Sequence, residues 1–140
     1  MRRTRRVRGP TLFGQVASAG INGGGGSYKS LIGKLLGANF NVTTDQAIGI
    51  TTGYRVTQII VQNASINMTT AVGGFYSAGA KGGTEIVLAT QVYTALTSAT
   101  VQLDLPINVV MGGLTSVSFS LTTAQGAAAT ADIYIYGLSP

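Results

Sequence analysis

Ser116-Val117-Ser118-Phe119-Ser120-Leu121-Thr122 and, further on, Asp132-Ile133-Tyr134-Ile135-Tyr136 alternate polar and apolar side chains without a break. A period of two puts successive side chains on opposite faces of an extended chain, so each stretch reads as a strand with one buried face. Val101, Leu103 and Leu105 alternate with Thr100, Gln102 and Asp104 in the same way. Between Tyr54 and Asn63 the phase is mixed. Tyr54, Val56 and Ile60 share one phase while Ile59 and Val61 hold the other, as a bulge or a central strand covered on both faces requires. Weaker strands are expected at 40–43, 47–51, 74–78 and 84–90, punctuated by Gly73-Gly74, Gly79 to Gly83 and Gly112-Gly113. Seven or eight short strands at this spacing predict an all-β fold, an antiparallel sandwich or jelly-roll-like body over residues 38–140.

Upstream the pattern changes. Leu31, Ile32, Leu35 and Leu36 recur at i, i+1, i+4, i+5, which predicts a short helix from Ser27 to Leu36. Ser27 is placed to cap it and Gly37 to end it, while Gly33 weakens it by up to ~1 kcal/mol. The four-residue stripe packs either on the chain's own β body or on a partner subunit. Residues 1–37, comprising a basic arm, a Gly-rich spacer and this helix, are therefore set apart from the β domain.

Charge is the most informative part of the composition. Only 9% of the 140 residues are Asp, Glu, Lys or Arg, against about 25% in ordinary soluble proteins. Arg2, Arg3, Arg5, Arg6 and Arg8 supply the whole net charge of +5. The rest of the chain sets Lys29, Lys34, Arg55 and Lys81 against Asp45, Glu85, Asp104 and Asp132, and is neutral. A neutral body with few surface ions tends to associate. Five guanidiniums on one segment suit phosphate or carboxylate partners, so the arm is expected to bind nucleic acid or an acidic groove on a neighbouring protein. Gly23 to Gly26 followed by Ser27-Tyr28-Lys29-Ser30 imitates a phosphate loop, but Tyr28 stands where Gly must precede the Lys, and no buried strand leads in.

Enzyme chemistry has little to work with. The chain has neither His nor Cys, and its four carboxylates are scattered, so no catalytic residue and no cofactor are expected. No metal site is expected either: an oxygen-only Ca²⁺ site near Asp45 or Asp132 would need backbone carbonyls, and EF-hand spacing is absent. No segment reaches the ~20 apolar residues of a membrane-spanning helix, and no membrane partner is expected. Phe75, Tyr76, Tyr93, Tyr134 and Tyr136 offer rings for a ligand platform or for cross-strand packing. Tyr134 and Tyr136 occupy the polar phase of the last strand, so their rings are expected to face outward as an interface.

Thr44-Asp45-Gln46-Ala47-Ile48, Val61-Gln62-Asn63-Ala64-Ser65, Gly73-Gly74-Phe75-Tyr76, the stretch Gln91 to Thr97 and the small-residue segment Leu121 to Asp132 resemble a group of tailed-bacteriophage virion structural proteins. The resemblance covers residues 38–140. It implies a virion location and a capsid decoration (cement) or head-fibre role, with the major capsid protein or other virion proteins as partners and no catalytic residues. With the neutral body it leads to the expectation of a homo-oligomer, a trimer about the shell's local axes, tethered by the arm. Two further roles stay open: a small capsid or core protein whose arm binds packaged nucleic acid, and a tail or spike adhesin using the outward tyrosines.

Overall fold

A computed structural model describes residues 28–139. They form eight strands, β1 (Lys29–Asn39), β2 (Gln46–Gly49), β3 (Arg55–Gln62), β4 (Val72–Ala78), β5 (Gly82–Val87), β6 (Gln102–Leu105), β7 (Ser116–Thr123) and β8 (Thr130–Leu138). These lie in two four-stranded sheets, ordered β1-β8-β3-β6 and β2-β7-β4-β5, with every pairing antiparallel. The all-β sandwich expected from the sequence is the fold observed.

The strand order has a simple physical origin. β4 pairs with β5, β3 with β6, β2 with β7 and β1 with β8, so the chain is one long antiparallel ribbon. Its tip is the turn closed by the Gly82 N–H to Gly79 O bond of 3.0 Å. The ribbon rolls up so that β8 also meets β3 and β7 also meets β4. The result is a jelly roll, in which only the β4–β5 link stays within one sheet.

One core fills the space between the sheets. Phe119 at its centre touches Phe40 and Phe75 with ring centroids 5.0 Å apart, and Tyr93 at 6.3 Å. Ile32, Ile48, Val56, Ile59, Val61, Leu121, Ile133 and Ile135 surround this cluster. Val117, Phe119 and Leu121 on β7, with Ile133 and Ile135 on β8, supply the alternating inward side chains expected of them. The mixed phase of β3 is a bulge: register slips between Val56 and Gln58, which turns Ile59 and Val61 inward and Ile60 outward.

The expected helix is a strand. Residues 29–39 form β1, paired along their length with β8, so the division after residue 37 falls inside a sheet strand. Ser27 lies outside the described residues. The apolar stripe deceived because β1 carries two register shifts, between Leu31 and Gly33 and between Leu35 and Ala38. Each shift resets the inside-outside phase, and two resets turn an alternating strand into adjacent apolar pairs. Gly33 is the residue that favours this outcome. A Cβ there would lie 2.6 Å from Gly49 O and 2.8 Å from Ile50 Cδ1, because the chain after β2 runs directly against β1. Thr51 N–H donates to Ile32 O across this contact at 2.8 Å. The expected strand at 40–43 is absent. Phe40 instead anchors the β1–β2 connection in the core, its N–H donating to Ala129 O at 2.8 Å and its carbonyl accepting from Gln125 N–H.

Candidate functional site

Register places the outward side chains of the β1-β8-β3-β6 sheet in rows. Lys29, Leu138 and Arg55 stand abreast; then Leu31, Tyr136 and Gln58; then Lys34, Tyr134, Ile60 and Asp104. The last row holds Asp132, Gln62 and Gln102, with Leu36 and Gly37 bulging beside it. Directly opposed residues have Cβ atoms ~4.5–5.5 Å apart, so each row is a set of touching neighbours. Tyr134 and Tyr136 are half-buried and lie in the outward phase, between the buried Ile133, Ile135 and Gly137.

The four leucine and isoleucine positions expected to form one docking stripe are split by β1. Ile32 is in the core at 3% exposure, and Leu35 packs against it from the inner side. Leu31 and Leu36 face out, 47% and 57% exposed. Those two join Tyr134, Tyr136 and Ile60 on a single surface. Two candidate features that the sequence kept apart, an upstream apolar stripe and two downstream tyrosines, thus share one sheet face. A helical period hid this; pairing β1 with β8 was the missing piece of information.

Charge on this face is graded. Lys29 and Arg55 occupy the end where residue 28 enters β1, together with Tyr28 at 68% exposure, and Lys34 lies two rows further on, in the row of Asp104. Lys29 Nζ donates to Gln58 Oε1 at 3.0 Å, and Gln58 Nε2 donates to Asp104 Oδ2 at 3.0 Å. Asp104 sits at the β6 edge. Asp132, at the opposite end of β8, accepts from Gly37 N–H at 2.7 Å and Asn63 Nδ2 at 2.9 Å. Both carboxylates therefore serve the fold. Arg2, Arg3, Arg5, Arg6 and Arg8 lie outside the described residues.

The outer side of the β2-β7-β4-β5 sheet is closed over by the chain itself. Ser118, Ser120 and Tyr76 are in the outward phase, yet all are buried. Ser120 Oγ donates to Thr43 O at 3.3 Å, and Lys81 Nζ donates to the same carbonyl at 3.0 Å. The Asp45 carboxylate accepts from Ala80 N–H, which holds its pKa below the usual 3.8; the Ser120 hydroxyl and the Lys81 charge act in the same direction, against burial. Lys81 is thus a turn residue pinned to a neighbouring loop. Phe75 and Tyr93 are core side chains, with Tyr93 Oη donating to Gly73 O at 3.2 Å and its phenol pKa pushed up by burial.

A second exposed apolar region is a groove of about 340 Å³ between the 88–92 and 106–108 loops, lined chiefly by Leu88, Val92, Pro106 and Ile107. Val109 and Val110 are exposed next to it in the chain. Among the described residues no three carboxylates gather into a metal-binding group, and no helix is long and apolar enough to cross a membrane.

A scan against protein-family models, a search of curated proteins and a search of solved structures each returned no match to this chain. The phage resemblance over residues 38–140 gains no support from them.

Proposed function

We propose that the chain is a virion shell subunit, a non-enzymatic coat protein whose jelly-roll body packs against further copies while its arginine-rich segment binds enclosed nucleic acid. One observation carries this: an eight-stranded jelly roll with a neutral body is joined to a segment holding all of the surplus charge. Jelly rolls of this kind serve as viral capsid domains, lectins and cupins, and the fold by itself does not choose among them. Cupin-type metal chemistry draws on imidazole ligands, and the chain has no His. A lectin-like adhesin is served by exposed rings; Phe75, Tyr76 and Tyr93 are buried, which leaves it Tyr134 and Tyr136 on the open sheet face. The coat reading gives a use to the neutral body, to the exposed apolar surfaces and to the five arginines together.

A capsid decoration or cement subunit is the second reading. The exposed Leu31, Leu36, Val109 and Val110 favour it equally, since a shell protein can cover them. The arm then lies in an acidic groove of that shell instead of on phosphates. A phage source rests on the residue resemblance alone.

A salt titration of the full chain with DNA separates the two. Five phosphate contacts give a slope near −4.5 in log K against log salt, or roughly 500-fold weaker binding between 50 and 200 mM. Absence of DNA binding at 50 mM salt removes the coat reading and leaves the cement reading standing.

A further inference from the structure

We propose that the outer face of the β1-β8-β3-β6 sheet is a stacking platform for single-stranded nucleic acid, on which Tyr136 and Tyr134 take base rings while Lys29, Arg55 and Lys34 meet phosphates. The proposal rests on the nucleic-acid reading of the arginine segment and extends it from an unspecific tether to a built surface.

Three observations converge on it. The first is composition: three of the four cations among the described residues, and the two tyrosines of β8, lie on this one face. Proteins that hold single strands without reading sequence combine a basic track with aromatic rings on which successive bases stack. The second is spacing. Tyr134 and Tyr136 are two residues apart on one strand, so their Cα atoms are ~6.6–6.8 Å apart, within the reach of neighbouring unstacked nucleotides. Lys34 stands directly across from Tyr134, and Lys29 and Arg55 flank the next row beyond Tyr136. The third is continuity. The chain reaches this face at Tyr28, and residues 9–27 connect it to Arg8. A fully extended chain spans at most ~3.6 Å per residue, so the arginines can lie on the same strand of nucleic acid as the platform.

The two carboxylates of the face lie away from the Lys29–Arg55 corner. Asp104 is at the β6 edge and Asp132 at the far end, and each is already engaged by protein donors. A polyanion therefore runs along β1 and β8 from the Lys29–Arg55 corner, where the positive charge is concentrated.

The experiment is fluorescence anisotropy of the full chain with an oligo-dT 20-mer and with a duplex of equal length, at several salt concentrations. Replacing both rings, Tyr134→Ala with Tyr136→Ala, is expected to weaken oligo-dT binding by roughly 5- to 150-fold per ring engaged. Duplex affinity and the salt slope should barely change, because the substitution leaves every phosphate-meeting cation in place. The paired Tyr134→Phe and Tyr136→Phe variant keeps the rings and should keep oligo-dT affinity, which also controls for folding. Oligo-dT binding unchanged in the alanine variant overturns the platform while leaving the arm reading intact. Loss of self-association without loss of oligo-dT affinity overturns it too, making the face a contact between copies. If the intact chain binds neither probe, the arm reading and the platform fail together.

Discussion

The two sheets of this jelly roll treat their outer faces in opposite ways. On β2-β7-β4-β5 the chain spends its own loops to cover the face, so that Ser120 and Tyr76 are buried although they point away from the core. On β1-β8-β3-β6 no loop among the described residues folds over, and tyrosines, leucines and lysines are left facing outward in ordered rows. Polar side chains under a loop need partners within the chain: Ser120 has one in the Thr43 carbonyl, while the Ser118 hydroxyl is buried without one. The open face instead leaves half-buried rings and exposed leucines uncovered among the described residues. The asymmetry separates a side of the molecule that the chain closes for itself from one that the described residues leave uncovered.

The sharpest way to break this contrast is to truncate one tyrosine on each face. Tyr76→Ala removes a ring that is 2% exposed and is expected to cost about 3–5 kcal/mol, as for a core aromatic. Tyr136→Ala removes a half-buried ring on the open face and is expected to cost under about 1 kcal/mol. Chemical denaturation of the two variants gives both numbers. Equal losses would mean that the open face is as structural as the closed one.

A smaller effect tests β1 itself. Gly33→Ala adds a Cβ facing Gly49 O and Ile50; overpacking of this kind costs about 1–3 kcal/mol. Leu36→Ser, on the outward side of the same strand, should stay within about 0.5 kcal/mol. A tolerated Gly33→Ala would show that the β2–β3 segment is not held against β1.

These residues also show how far the sequence could be read. Strict alternation in β6, β7 and β8 made those strands and their inward faces legible, because one buried face leaves a period of two. The charge split between residues 2–8 and the body was equally plain. β1 was not legible: its two bulges break the period, and a strand whose faces exchange at each bulge mimics a helical stripe. The closed face was hidden for a different reason. Ser118 and Ser120 read as solvent-facing, and only the return of the 43–45 and 79–81 loops buries them. Alternation tells which residues leave the core, but coverage by distant loops is decided by topology.

The smallest expected effect lies at the latch of the closed face. Asp45 holds the β4–β5 turn by accepting from Ala80 N–H, at a turn where Ala80 and Lys81 both adopt positive φ, 57° and 56°. Non-glycine residues resist that conformation, so the turn benefits from an external acceptor. Because the folded-state pKa of Asp45 lies below its unfolded value, the latch contributes its full stability above about pH 4, and that contribution fades as pH falls through the folded pKa. Asp45→Asn keeps an oxygen for Ala80 N–H and removes the charge. The variant should therefore melt slightly below the parent at neutral pH, and the gap should close progressively below about pH 4. A gap that stays constant from neutral to acid pH would mean that the carboxylate charge has no part in closing the face, leaving the loop contacts of Thr43 to hold it alone.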